Sequence, residues 1–172
     1  MTTTHNNNFC SKRIINEQMR AYENGENWII PNIRHDISTM YVPITLYKSL
    51  QTLARNKQPV LHFVFPTSYP MKPPTVTYHG TNVQEIFRTN SIFSEDMMKI
   101  SNMKCLCCES ILCRNKWTVA HGIQAIIDEF IKITTLKSRV IERLYCKTIQ
   151  KQLVKSQNSF LLVEDYPIFE YL

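Results

Sequence analysis

Cysteine is the residue type of this chain with the widest chemical range, and most of the cysteines crowd into one short stretch. The chain has six of them: Cys10, Cys105, Cys107, Cys108, Cys113 and Cys146. Residues 1–8 are polar and show no basic start, apolar middle or small-residue cleavage site of a secretion signal. Because thiols stay reduced inside the cell, we expect free thiols, metal ligands or a nucleophile rather than a disulfide framework.

One arrangement of these thiols is typical of a metal site. Cys105 and Cys108 form a Cys-x-x-Cys step, and Cys113 and His121 are two further ligands that could close a tetrahedral zinc site. Against this, His121 falls inside a predicted helix, and Cys108 and Cys113 flank an apolar pair that should pack inward. The other histidines lack the acid and nucleophile spacing of a hydrolase triad. Our interpretation from sequence includes no metal, with zinc as the competing chemistry.

Cys108 also opens a second pattern. It begins the run Cys-Glu-Ser-Ile-Leu at residues 108–112, and Trp117 follows shortly afterwards. Residues 65–76 read Phe-Pro-Thr-Ser-Tyr-Pro-Met-Lys-Pro-Pro-Thr-Val, and their prolines force a stiff, extended exit from a strand. Together these segments resemble the ubiquitin-conjugating enzymes, whose patterns are Phe-Pro-x-x-Tyr-Pro-x-x-Pro-Pro-x-Val and, before a Trp-led helix, Cys-x-Ser-Ile-Leu.

The resemblance implies that Cys108 accepts ubiquitin or a related modifier as a thioester and yields it to a lysine. A thiolate attacks well and leaves well, whereas a serine would trap the intermediate. An Asn amide near the thioester would stabilise the charge that develops on its carbonyl oxygen. Asn90 is the candidate, and Asn102 is the next. The alternatives are that Cys108 is an ordinary buried thiol and that Asn90 caps a turn.

The chain departs from the family pattern at several places. The His-Pro-Asn motif is absent, and its nearest analogue is Ile-Phe-Arg-Thr-Asn at residues 86–90. If Asn90 fills the place of the motif asparagine, residues 91–103 must loop outward as an insertion. Thr118 and Val119 follow the Trp where the family has Ser-Pro, and the glycine-rich turn before the third strand is missing. These departures predict a divergent member.

Hydrophobic periodicity predicts the elements that carry these motifs. Residues 11–22 form a helix that places three apolar residues on one face: Ile15, Met19 and Tyr22. Strands are predicted over residues 28–37, 40–46, 60–65 and 75–78. Apolar residues then recur every three or four positions over residues 117–133 and again over residues 140–153, which predicts two C-terminal helices.

The order of these elements predicts an α+β domain with a ubiquitin-conjugating-like fold, in which an N-terminal helix precedes a four-stranded antiparallel meander and C-terminal helices. At 172 residues the chain is long enough for one packed domain with an extension. We expect a flexible tail over residues 1–10, the core over residues 11–135, and a C-terminal helix and tail over residues 136–172.

Composition and charge narrow the partners. With 44% apolar and 20% charged residues, and no apolar stretch approaching about 18 residues, we expect no membrane span. The net charge is +6, but Lys and Arg are spread along the chain without the block typical of a nucleic-acid-binding arm, so we expect no nucleic-acid partner. A basic face that meets an acidic protein fits better. The candidate partner-binding residues are Lys12, Arg13 and Met71, and the residue at the place of Met71 is often an apolar anchor for ligases in the family.

The function that the resemblance implies is ubiquitin conjugation by a transferase that needs no cofactor of its own. Its partners are ubiquitin or a ubiquitin-like modifier, an ATP-dependent activating enzyme and a ubiquitin ligase, and we expect it in the cytoplasm or nucleus. The alternative is a noncatalytic adaptor of the same fold that binds ubiquitin or a ligase, since a decayed enzyme would also lack His-Pro-Asn.

Overall fold

The computed structural model describes residues 4–26, 38–43, 60–88, 91–103 and 105–156. The helices are α1 (Thr4–Glu23), α2 (Val83–Phe87), α3 (Ser91–Ser101), α4 (Leu106–Glu109) and α5 (Ile123–Ser156). The strands are β1 (Thr39–Pro43), β2 (Val60–Val64), β3 (Thr75–Tyr78) and β4 (Thr81–Asn82). Among these described helices, none combines the length and the apolar character needed to cross a membrane. The predicted α+β class is confirmed, with an N-terminal helix, a four-stranded antiparallel sheet and C-terminal helices.

The four strands form one antiparallel sheet in chain order. Met40 lies opposite Phe63 and Val42 opposite Leu61 where β1 pairs with β2, and Phe63 lies opposite Val76 where β2 pairs with β3. These five side chains are buried and alternate with more exposed neighbours. The alternation specifies the register, because a slip of one residue would turn the apolar set to the opposite face.

Helix α5 packs its first turns against the core. Ile123, Ile126 and Phe130 are buried at helical spacing. The ring of Phe130 lies 5.1 Å from that of Tyr78 on β3 and 6.1 Å from that of Phe87 on α2. One helix therefore contacts both the sheet and the short helix that follows it.

The carboxylate of Glu17 joins three separate parts of the chain. One of its oxygens accepts hydrogen bonds from Arg13 Nε at 2.5 Å and from the hydroxyl of Tyr69 at 2.8 Å. The other accepts the backbone N–H of Ile123, the first residue of α5, at 2.7 Å. Burial, reinforced by the charge of Glu17, raises the pKa of Tyr69, so that the phenol keeps its proton and remains a donor. A carboxylate at a helix N-terminus also interacts favourably with the helix dipole.

The buried face of α1 is shifted by one position along the helix from the predicted face. Ile14, Gln18 and Ala21 are buried, whereas Met19 and Tyr22 are 54% and 73% exposed. Both sets have the same spacing, and the count of apolar residues favoured the wrong one because a glutamine occupies a core position. The amide of Gln18 donates to the sulfur of Met40 on β1 at 3.5 Å.

Helix α1 begins at Thr4 rather than at residue 11, within the segment predicted to be a flexible tail. The predicted strands 60–65 and 75–78 are present as β2 and β3. The strand predicted over 40–46 overlaps β1, while its end and the strand predicted over 28–37 lie outside the described residues. Strand β4 was not predicted, because two residues carry no periodicity.

A single helix replaces the two predicted C-terminal helices. Residues 134–139 contain neither Pro nor Gly, so this polar stretch carries no residue that would end the helix, and the hydroxyl of Thr134 donates within the helix to the carbonyl of Phe130 at 2.7 Å. Helix α5 therefore runs across residue 135, where we expected the core to end. The helix also begins later than predicted, at Ile123, so that Trp117 and the exposed Val119 lie before it.

Residues 91–101 form α3 rather than looping outward from the domain. Met97 is buried, and Asp96 accepts a hydrogen bond from Nζ of Lys147 on α5 at 2.5 Å. This bond lowers the pKa of the Asp96 carboxyl. The predicted insertion is therefore a helix that docks on α5.

The position of Glu17 leads to a prediction at Gly122. A Cβ atom added to Gly122 would lie 2.8 Å from Oε2 of Glu17, and three hydrogen bonds hold that carboxylate in place. We expect Gly122→Ala to lower the free energy of unfolding by about 1 to 3 kcal/mol, as overpacking does, measured by urea denaturation.

The matched control is the same change in a Glu17→Ala background, where the crowded atoms are gone. There Gly122→Ala should cost little, so that the double-mutant cycle gives a clear coupling energy. Equal losses in both backgrounds would show that Gly122 is needed for its backbone and not for the space beside Glu17.

Candidate functional site

Three cysteines lie in or next to α4, a helix of only four residues that includes Cys107 and Cys108. Cys105 precedes it in an extended conformation, and its side chain makes no capping bond to the helix. Leu106, the first residue of α4, is fully buried and anchors the turn to the core. Cys107 is half-buried and Cys108 is exposed. The single apolar anchor therefore directs the next two thiols towards the surface.

The sulfur atoms of Cys105, Cys107 and Cys108 form what we call the thiol cluster. The Sγ atoms of Cys105 and Cys107 are 2.8 Å apart, and those of Cys107 and Cys108 are 3.8 Å apart. All three lie within 4.8 Å of one another. None of the six cysteines forms a disulfide.

The three thiols differ in acidity because they form hydrogen bonds with one another and differ in burial. The hydrogen bond from Cys107 lowers the pKa of Cys105 to about 7. Burial, together with donation to Cys105, raises the pKa of Cys107 to about 12. The nearby sulfur of Cys105 raises the pKa of Cys108. The cluster therefore takes its first negative charge on Cys105, and Cys108 is the thiol that meets solvent.

The residues after Cys108 are fixed to α5 by one carboxylate. Ser110 Oγ donates to Oε2 of Glu129 at 2.8 Å, and the backbone N–H of Ile111 donates to Oε1 at 2.9 Å. The same serine oxygen accepts the backbone N–H of Leu112 at 3.0 Å. Ser110 is fully buried. Sequence reasoning did not identify Glu129, although a serine between an exposed cysteine and an apolar pair does require a buried partner.

The proline segment, residues 66–74, is in contact with the region around Trp117. The indole Nε1–H of Trp117 donates to the carbonyl of Pro70 at 2.7 Å, and its ring lies 6.3 Å from that of Tyr69. The side-chain amide of Gln84 on α2 donates to the carbonyl of Leu112 at 2.5 Å. The cysteine segment, residues 105–113, is thus tied to α2, to α5 and, through Trp117, to the proline segment.

A cleft of about 720 Å³ opens beside Cys107, Cys108 and Cys113. Its other charged lining residues are Lys72, Glu85, Arg88 and Arg114. Three cations and one carboxylate make the cleft basic. We call it the cysteine cleft, and a positive surround of this kind favours a thiolate over a thiol.

Two of the four predicted zinc ligands lie away from the thiol cluster. His121 precedes α5 rather than lying inside it, its Nδ1 accepts the N–H of Thr118 at 3.1 Å, and its ring packs against Trp117. His121 and Cys113 are therefore not members of the thiol cluster, so the four ligands proposed for zinc are not brought together in the described part of the chain. Cys107, which that set omitted, takes a place in the cluster.

The two candidate oxyanion donors have different outcomes. Asn90 lies outside the described residues, so its role stays a prediction. Asn102 is exposed, with a positive φ of 57° directly after α3, and its N–H donates to the carbonyl of Met98 at 2.9 Å. This is the left-handed conformation that commonly ends a helix, and it gives Asn102 a structural role.

The candidate partner-binding residues also differ from one another. Met71 is 68% exposed, so it does not pack back onto the domain. Lys12 is exposed on α1. Arg13 instead bonds Glu17 and also donates to the carbonyl of Val119 at 3.3 Å. Its guanidinium holds the fold together and is less available to a partner than Lys12.

Comparisons of the chain with protein-family models, with curated proteins and with solved structures each gave no match. The interpretation of this site therefore depends on its own geometry and chemistry.

The contacts of Glu129 predict what positions the cysteine segment. In Glu129→Gln, one carboxylate oxygen becomes an NH2 group that cannot accept a hydrogen bond, so Ser110 or Ile111 loses its partner. We expect a loss of about 1 to 3 kcal/mol in the free energy of unfolding. Hydrogen exchange of the Ile111 and Leu112 amides should become faster.

The control is Asp128→Asn on the same helix, where an exposed carboxylate accepts a hydrogen bond from Gln124 at 2.8 Å. This change should leave the stability and the exchange of the cysteine segment nearly unchanged. Unaltered exchange in Glu129→Gln would show that other contacts hold the segment in place.

Proposed function

We propose that this chain is a divergent ubiquitin-conjugating enzyme that carries ubiquitin or a related modifier as a thioester on Cys108 and passes it to a lysine. The observation that carries the proposal is the exposed thiol of Cys108 beside the cysteine cleft, on a segment that Glu129 ties to α5. A nucleophile that is both accessible and held in position is what attack on an incoming thioester requires.

Two structural features support a ubiquitin-conjugating-like fold for this α+β domain. The chain passes through α1, the sheet with the proline segment between β2 and β3, the cysteine segment and the long helix α5, and these parts occur in the sequence order that the resemblance implies. The motif segments also support one another, because Trp117 donates to Pro70 and Ser110 of the Cys-x-Ser-Ile-Leu run is bonded to α5. These contacts give several motif residues a structural purpose.

The proposed chemistry consists of two acyl transfers. In the first, the Cys108 thiolate attacks the carbonyl carbon of the modifier's thioester on the activating enzyme, and the sulfur of that enzyme leaves as a thiolate. In the second, a lysine amine attacks the same carbon, the bond to Cys108 sulfur breaks, and the amine loses its proton to solvent. The activating enzyme consumes the ATP, so this chain needs no cofactor. Asn90 is our proposed donor to the carbonyl oxygen during the second step.

Cys105 is the main rival of Cys108 as the nucleophile. Its pKa of about 7 makes it the first thiol of the cluster to ionise, but it is half-buried while Cys108 is exposed. A bulky protein thioester must reach the attacking sulfur, so access favours Cys108. The sulfur of Cys105 raises the pKa of Cys108, so the cations Lys72, Arg88 and Arg114 of the cleft would have to offset this rise when the Cys108 thiolate forms.

The proposed partners follow from the exposed residues. Met71 projects from the proline segment and is the candidate anchor for a ligase, since an exposed thioether can adapt to an irregular groove. Lys12 on α1 is the candidate contact for an acidic partner such as the activating enzyme. Such thiol chemistry belongs in the reducing cytoplasm or nucleus.

The first test of the proposal is thioester formation. Incubation with activating enzyme, ATP and ubiquitin, or a ubiquitin-like modifier, should give an adduct that is visible on a nonreducing gel and lost on reduction. Cys108→Ala should abolish this adduct. Cys108→Ser should give a more stable oxyester if attack still occurs.

The controls are Cys105→Ala, Cys107→Ala and Cys113→Ala, which should each still charge. Loss of the adduct in Cys105→Ala, with an intact adduct in Cys108→Ala, would move the nucleophile to Cys105. If the unmutated chain charges with no modifier yet binds ubiquitin or a ligase, the adaptor function takes the place of the enzyme.

The second test concerns Met71 and the ligase. Met71→Ala should slow ligase-dependent transfer roughly fivefold or more, the scale of an apolar anchor worth about 1 kcal/mol. Charging by the activating enzyme should be nearly unchanged. The matched control is Met98→Ala, which removes another exposed methionine, on α3. An equal loss of both steps in Met71→Ala would show that Met71 supports the fold instead.

A further inference from the structure

The proposed thioester chemistry uses one sulfur, yet the structure gathers three. Cys105 and Cys107 have no task in a transfer that proceeds through Cys108, and all three Sγ atoms lie within 4.8 Å of one another. Cysteine side chains are rarely exposed on a protein surface. Three thiols that converge on one point can bind a soft metal ion. Their spacing decides whether such an ion fits.

A tetrahedral zinc site with Zn–S bonds of about 2.3 Å places its sulfurs about 3.8 Å apart. The Sγ atoms of Cys107 and Cys108 already have this separation, at 3.8 Å. Those of Cys105 and Cys107, at 2.8 Å, would have to separate by about 1 Å to meet it. Cys105 lies outside α4 on extended backbone, and its side chain makes no capping bond, so its sulfur can move without breaking the helix.

We propose that Cys105, Cys107 and Cys108 form a three-thiolate site for a thiophilic d10 cation, Zn²⁺ or Cu⁺, at the edge of the cysteine cleft. The described residues bring no fourth Cys, His, Asp or Glu within the cluster. Zn²⁺ would therefore complete its tetrahedron with water or a small thiol, whereas Cu⁺ is satisfied by sulfur ligands of this kind. Binding replaces thiol protons by the metal ion and involves no redox step.

The surroundings of the cluster suit an anionic thiolate centre. Three thiolates with Zn²⁺ carry one net negative charge, and with Cu⁺ they carry two. Lys72, Arg88 and Arg114 line the adjoining cleft, and cations beside a site favour its anionic form. Cys108 is exposed, so an ion can enter without opening the fold.

This inference goes beyond the proposed function and has a separate test. A metal bound through Cys108 would occupy the sulfur that the thioester needs, so metal binding and charging would exclude each other. Metal binding is read by absorption and stoichiometry, without activating enzyme or modifier. The charging assay on metal-free protein gives its answer whether or not the site exists.

The experiment titrates the full chain, reduced and freed of metal, with Co²⁺ as a coloured substitute for Zn²⁺. We expect sulfur-to-cobalt charge-transfer absorption that saturates at one ion per chain and disappears when Zn²⁺ displaces the cobalt. A parallel titration with Cu⁺ against a coloured Cu⁺ chelator shows which of the two ions is held more tightly. Absence of thiolate charge transfer, together with no competition for Cu⁺, would overturn the proposal.

Variants assign the ligands. Cys107→Ser should weaken binding roughly tenfold or more, since even groups that only orient a ligand contribute about ten- to a hundredfold. Cys108→Ser, at an exposed position, tests the site without risk to the core. Cys146→Ser, which changes an exposed cysteine on α5, is the matched control and should bind normally. Equal affinity in Cys107→Ser, Cys108→Ser and Cys146→Ser would refute the three-thiolate site.

Discussion

The hydrogen bonds to the carboxylate of Glu17 hold α1, the proline segment and the start of α5 together, and the arrangement of these elements depends on them. It accepts from Arg13 within α1, from Tyr69 in the proline segment and from the first N–H of α5. Removing any one donor would leave the other two, but removing the carboxylate would leave a buried phenol and a helix N-terminus without their partner. The close approach of Gly122 follows from the same carboxylate, since a larger residue would occupy its space.

The candidate site depends on that junction through α5. Once the N-terminus of this helix is fixed beside Glu17, its second turn brings Glu129 under Ser110 and Ile111. Trp117 adds a connection to Pro70 from the other side. The thiol cluster thus rests on a short helix whose position is set by residues distant in sequence. Two carboxylates therefore connect the N-terminal helix to the cysteines. Glu17 of α1 binds the first N–H of α5, and Glu129 of α5 binds Ser110 and Ile111.

Local patterns predicted the elements better than they predicted the contacts. Alternation over residues 60–65 and 75–78 gave β2 and β3 because half-buried strands show their burial in sequence. The predicted buried face of α1 was wrong because Gln18 takes a core position. A prediction that counts apolar residues does not include a polar residue in the core. The Cys-x-Ser-Ile-Leu run identified Cys108 as a candidate, but Glu129 could not be predicted, since nothing in a single sequence pairs it with Ser110. The thiol cluster was not predicted for a related reason. The Cys-x-x-Cys spacing selects Cys105 and Cys108 as ligands and leaves out Cys107, which lies between them.

The Glu17 junction also has a consequence for how the chain reaches its native state. Its bonds join residues 52 and 106 positions apart, whereas the paired residues of neighbouring strands are closer in sequence and the turns of α5 are local. Contacts of long sequence separation are entropically expensive to close and form late in folding. During synthesis, α1 leaves the ribosome long before Ile123 has been made. Helix α1 must therefore wait, with the carboxylate of Glu17 still lacking the N–H of Ile123, until α5 arrives to complete the junction.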